Sequence, residues 1–166
     1  NITVSSEWLQ EQVDIILNSG DLFGSADGGK GQSIQVEYVS VNPTGPLHVG
    51  HARGAVLGSV LSSVLEAAGY QVSREYYLND AGNQIDLFHQ SLFATYSQAL
   101  GKDVQIPDNG YKGHYMIELG RQMAEQHGSK FLELHTGEGV SALGSFGVDR
   151  MVQEIKNDLD NLQVSF

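Results

Sequence analysis

Apolar residues recur every three or four positions in five stretches of the chain and alternate in two others. In SSEWLQEQVDIILNSG, residues 5–20, Leu9, Val13, Ile16 and Leu17 share one helical face, with serines to cap its start and Gly20 to stop it. SIQVEYVSV, residues 33–41, is β-branched and aromatic and sets Ile34, Val36 and Tyr38 against Val39 and Val41. That alternation predicts a buried strand, ended by Pro43. A helical period follows from His51 to Ala68, with Val56, Val60 and Val64 beside Leu57, Leu61 and Leu65, and Gly69 closes it. YQVSREYYL predicts a second strand. Strand, helix and strand within so short a span form a βαβ unit and imply a parallel sheet.

Beyond Asp80 the period is helical throughout. Asp80 can cap a helix in which Ile85, Phe88, Leu92 and Tyr96 share a face and which Gly101 closes. KDVQIPDNGYKG is a turn-rich connector. HYMIELGRQMAEQHG and GVSALGSFGVDRMVQEIKNDLDNL predict two more helices, the last with Val148, Met151, Val152, Ile155, Leu159 and Leu162 in register. The pattern is α/β: the first part of a Rossmann-type parallel sheet followed by a mostly helical insertion. It divides into an N-terminal helix and linker (1–32), the βαβ part (33–80) and the helical part (81–166).

Composition narrows the chemistry. With no cysteine, neither disulfides nor thiolate metal sites are open to the chain. No apolar run reaches the ~18 residues of a membrane span and no signal-peptide pattern opens the sequence, so a cytoplasmic protein without membrane contact is expected. The net charge of −11 would repel a phosphate backbone and suits a cationic substrate better.

Three motifs bear on the chemistry. GSADGGKG, Gly24 to Gly31, approaches a P-loop, but Gly31 stands where Ser or Thr should hold magnesium, and the segment precedes its strand instead of following it. It reads as a mobile surface loop. Gly50, Gly54 and Gly58 fall four apart on a helix that also carries Arg53 and Glu66, which suits close approach to a sheet or ligand better than membrane dimerisation. His48 and His51 have no third ligand close by and are weak evidence for zinc, so no metal site is assigned. His89, His114, His127 and His135 read as satisfied core or surface residues. The context of His48 and His51 differs: they follow the end of a strand and open a helix, where free backbone N–H groups and the helix dipole favour anions. Two imidazoles there add hydrogen-bond donors suited to the phosphates of a nucleotide.

HVGH resembles the HIGH signature of class I aminoacyl-tRNA synthetases, and VEYVSVNPTGPLHVGHARGAVLGSVLSSVLEAAGYQVSREYYLNDAGNQI resembles the arginyl-tRNA synthetases of bacteria. YKGHYM and MVQEIKNDLDNLQVSF are similar to later stretches of the same family. The resemblance implies that His48 and His51 contact ATP phosphates and that Gly50 lets adenine lie on the backbone. It implies that Glu37 and Asn42, with Ser40 alongside, hold the amino and carboxylate groups of L-arginine. A carboxylate at Glu37, within an otherwise apolar strand, calls for a cationic partner; the bland alternative is a solvent-facing edge residue.

The implied function is ATP-dependent activation of arginine, with Mg²⁺ accompanying ATP, and transfer to tRNA(Arg) by a monomeric full-length enzyme. The second signature loop, the guanidinium-reading tyrosine and aspartate, and the tRNA-binding domains find no match here. The chain is therefore expected to be a piece of a synthetase, inactive alone. The alternatives are a small HxGH nucleotidyltransferase, which should carry that motif nearer its start and a late phosphate loop, and a non-catalytic synthetase-like binding module. A straight strand would separate Glu37 from Asn42 by ~16 Å at ~3.3 Å per residue. If both hold one amino acid, the backbone near Ser40 must bend.

Overall fold

The computed structural model describes residues 2–166; Asn1, the first residue of the 1–32 segment, lies outside them. Helix α1, Ser6–Ser19, begins at the Ser5 cap, whose hydroxyl accepts from the Trp8 amide at 3.2 Å, and ends at Gly20 with φ +52°. Its predicted apolar face forms, yet none of its residues is buried. Leu9, Val13, Ile16 and Leu17 all remain exposed.

The βαβ unit follows. Strand β1, Ser33–Glu37, pairs in parallel with β2, Gln71–Glu75, and helix α2, Val49–Ala67, crosses between them. The register runs from Ser33 opposite Gln71 to Glu37 opposite Glu75. Both strands are shorter than their apolar pattern, and neither has a fully buried residue. The cause in β1 is local. Val39 and Ser40 take φ +67° and +42°, outside the β region, so the ladder cannot run on to Val41. The irregular backbone expected near Ser40 is found, at Val39–Ser40.

Helix α2 buries its small face. Ala55, Gly58 and Ser62 are its buried residues, while Val56, Leu57, Val60, Leu61 and Val64 are exposed. A Cβ at Gly58 would lie 2.2 Å from Cγ of Tyr38, so glycine is what lets the helix close on the chain leaving β1. The Gly24–Gly31 loop, expected to be a mobile surface segment, has defined backbone partners. It is fastened to the far end of α2: the amides of Ala26, Gly29 and Gly31 donate to the carbonyls of Ala67, Ala68 and Gly69 at 2.7, 2.8 and 2.9 Å.

Helices α3 (Asn83–Ala99), α4 (His114–His127) and α5 (Thr136–Asn161) build the larger core around Phe88, Leu92, Tyr96, Met116 and Leu143. Asp80 does not cap α3. The cap is Gly82, whose carbonyl takes the amides of Ile85 and Asp86 at 2.9 and 3.1 Å. Of the four histidines expected to be satisfied, His114 and His135 are exposed and His127 packs on Phe131 and Phe146. His89 departs from expectation: its Nε2 is buried with no hydrogen-bond partner among the described residues. A smaller core joins Ile155 and Leu159 of α5, with Val164, to Tyr38 and Ala55. One helix thus belongs to both cores and sets the βαβ unit against the helical half.

Candidate functional site

The start of α2 is capped by a histidine in place of the usual serine or aspartate. His48, with extended backbone, is the N-cap, and its Nδ1 accepts from the amides of Gly50 at 3.1 Å and His51 at 3.3 Å. His51 answers with its own Nδ1, which accepts from the His48 amide at 3.4 Å. This is a capping box built from two imidazoles, each satisfying an amide that a helix start leaves free. The rings stack with centroids 3.5 Å apart and planes 19° apart. Gly50 is required by that stack, because a Cβ there would lie 2.9 Å from Cε1 of His48.

The bonding pattern fixes the tautomers. A ring nitrogen that accepts an N–H carries no proton, so each neutral imidazole holds its proton on Nε2. Partial burial, and then the neighbouring His48, lower the pKa of His51 and favour its neutral form. His48 is exposed and His51 half-buried, so both rings stand at the surface as Nε2–H donors above a positive helix end.

The approach to this helix is held from outside. Between Tyr38 and His48 the chain has no regular structure. Tyr76 donates its hydroxyl to the Val41 carbonyl at 2.7 Å, and the Tyr77 amide donates to Oγ of Ser40 at 3.0 Å. Asn42 donates Nδ2 to Oε1 of Gln84 at 2.5 Å. Tyr115, from α4, donates its hydroxyl to the Thr44 carbonyl at 2.7 Å, and its ring lies 3.3 Å from where a Gly45 Cβ would be. Burial, and then Tyr111, push the Tyr115 pKa up to about 12, so it remains a donor at any ordinary pH.

The six residues singled out in the sequence are therefore placed unequally. His48, Gly50 and His51 form one hydrogen-bonded unit, while Ser40 and Asn42 are fixed in the loop leading to it. Glu37 is exposed at the end of β1 before the bend, and no hydrogen bond joins it to the others among the described residues. Its neighbour in the ladder is Glu75, so two carboxylates stand side by side on one face. Sequence reasoning missed Glu75, Gln84 and Tyr115. The stretches LNDAGNQI and YKGHYM resembled the family, but nothing in their spacing revealed partners some 40 and 70 residues earlier in the chain. Among the described residues no three side chains of the kinds that ligate metals come together.

Residues 12–126 match the family described as tRNA synthetases class I (R), catalytic domain. An arginine–tRNA ligase of Dehalococcoides mccartyi is 49% identical over all 166 residues, and arginine–tRNA ligase 1 of Halalkalibacterium halodurans is 44% identical over the same span. The chain covers 30% of the length of each. A crystal structure of a candidate arginyl-tRNA synthetase from Campylobacter jejuni superposes with a TM-score of 0.83 at 35% identity, covering 98% of this chain and 36% of that one. The chain belongs to the class I arginyl-tRNA synthetase catalytic-domain family.

Proposed function

We propose that these residues carry half of an arginine-activating site in a longer enzyme that charges tRNA(Arg). The observation that carries this reading is the pair of stacked imidazoles at the start of α2, each capped through Nδ1 and left with a free Nε2–H. The family match and the names of the relatives support arginine, ATP and tRNA as substrates. On this reading, residues 33–80 hold the site, 81–166 support it, and 1–32 are an N-terminal helix and linker.

The chemistry asks little of proton transfer. The carboxylate of arginine is already ionised at neutral pH and attacks the α-phosphorus of ATP. A carboxylate oxygen–phosphorus bond forms, the bond from that phosphorus to the pyrophosphate oxygen breaks, and pyrophosphate leaves with the electron pair. Charge therefore shifts along the phosphates, where His48 and His51 direct their Nε2–H donors and the helix start adds its dipole. Gly50 leaves the backbone bare for the flat face of adenine. Glu37 takes the α-amino group of arginine, and Asn42, with Ser40, takes its carboxylate end. Mg²⁺ accompanying ATP would offset phosphate charge, and no side chain described here is assigned to hold it. A hydroxyl at the 3′ end of the tRNA then forms an ester bond to the arginyl carbonyl carbon as the bond from that carbon to the adenylate oxygen breaks, and AMP leaves.

Arginine-dependent ATP–pyrophosphate exchange tests this in the complete enzyme. His48→Ala and His51→Ala should each lower kcat by about 10²-fold, as loss of one donor to transition-state charge typically does. The KM for arginine should change little, because the lost interaction grows only in the transition state. A double variant with normal exchange would remove the proposed role.

A further inference from the structure

The shape of the Asn42–His48 loop is imposed by residues that none of the chemistry above uses. Asn42 matters most, because its carboxamide can present either oxygen or nitrogen to a ligand, and nothing in its own backbone chooses between them. Its partner is on α3, and that bond fixes where the carboxamide lies. Gln84, second residue of that helix, accepts Nδ2 of Asn42 on its Oε1 at 2.5 Å. Gln84 is itself well placed to do so. The Gly82 carbonyl closes the first turn of α3 by taking two amides, and Ile85, the next residue, is buried in the helical core. With one N–H of Asn42 committed to Gln84, its other N–H and its Oδ1 are turned to a defined side.

We propose that Gln84 is a positioning residue for the arginine end of the site. It fixes the Asn42 carboxamide in the orientation that receives the backbone groups of the amino acid. Gln84 acts through Asn42 without touching the substrate, and it ties arginine recognition to the helical half of the chain. This inference rests on the reading of Asn42 as an arginine ligand, so the test separates the two.

The experiment is a double-mutant cycle in the complete enzyme, using Asn42→Ala, Gln84→Ala and both together. KM for arginine, KM for ATP, kcat and the urea midpoint are read for each. Gln84→Ala should raise the arginine KM about five-fold, the worth of one hydrogen bond of about 1 kcal/mol. It should leave the ATP KM and the urea midpoint in place, which a merely structural role would not do. Asn42→Ala should cost at least as much, and adding Gln84→Ala to it should cost nothing more, because the intermediary is already gone. A Gln84→Ala penalty that multiplies undiminished in the double variant would overturn the proposal, as would an unchanged arginine KM in Gln84→Ala alone. If Asn42→Ala itself leaves the arginine KM unchanged, the assignment of Asn42 fails and takes this inference with it.

Discussion

The ring of His89 is wedged between α3 and α5, where a Cβ on Gly144 would lie 2.1 Å from its Cγ. A buried nitrogen without a partner costs free energy in its neutral form and more when charged. Burial lowers the pKa of His89, and the nearby Asp86 carboxylate offsets this only in part. Its folded-state pKa therefore lies below the unfolded value, so its contribution to stability is complete above about pH 6.5 and is lost as the pH falls through and below it. His89→Leu removes both the orphan nitrogen and that leg. Urea denaturation should find the variant about 1 kcal/mol more stable at pH 7 and flatter between pH 7 and 5; an equally steep, less stable variant would contradict the assignment. Helical periodicity placed His89 beside the core face but could not show what its nitrogens would meet. The same limit applied at the site. HVGH and NPTG were legible as a turn that delivers two imidazoles, whereas the division of labour within each ring, Nδ1 to the helix and Nε2 outward, needed the cap geometry.

Among the elements, α5 begins at Thr136, ahead of the predicted Gly139, while α1 and α4 fall where their period and their closing glycines predicted. The strands do not. Val39 has high β-propensity and occupies left-handed backbone, a conformation costing of order 1–3 kcal/mol for a branched side chain. Propensity therefore pointed past the true end of β1. What holds the strained segment lies far away in sequence, in the tyrosines at 76 and 115, and pair spacing cannot announce such bonds. Helix α2 shows another case: of its spaced glycines Gly58 meets Tyr38 closely and Gly54 meets nothing within 4 Å, while its larger apolar residues stay exposed. Tyr115→Phe tests the tether between α4 and the loop. Losing the bond to the Thr44 carbonyl should cost about 1 kcal/mol at neutral pH. Because burial raises the Tyr115 pKa to about 12, its protonated form is favoured in the fold, and its contribution is complete below about pH 10 and lost as pH rises through 12. Stability of the parent chain should fall across that window, and the Phe variant should fall less. Equal slopes would show that the hydroxyl is not buried against Thr44.

At the scale of the molecule, α5 ties the two halves together, with Met151 in the helical core and Ile155 and Leu159 in the core beneath Tyr38. The loop from Ser40 to His48 lies between those halves in its bonding, held by residues following β2 on one side and by α3 and α4 on the other. Large apolar residues of α1 and α2, among them Leu17 and Leu57, stay exposed. The chain spans 30% of the length of its arginine–tRNA ligase relatives. A two-stranded sheet of this size is marginal as an independent unit. The alternation and the βαβ spacing were enough to read an α/β chain with a parallel sheet, because that consequence follows from topology alone. The central claim is that the start of α2 faces the nucleotide and the bend before it faces arginine. It is tested most directly by a crystal structure of the complete enzyme with L-arginine and a non-hydrolysable ATP analogue. Phosphate oxygens are predicted within about 3 Å of Nε2 of both His48 and His51, with the arginine backbone groups bonded to Glu37 and Asn42. Phosphates seated out of hydrogen-bond reach of both imidazoles would contradict it.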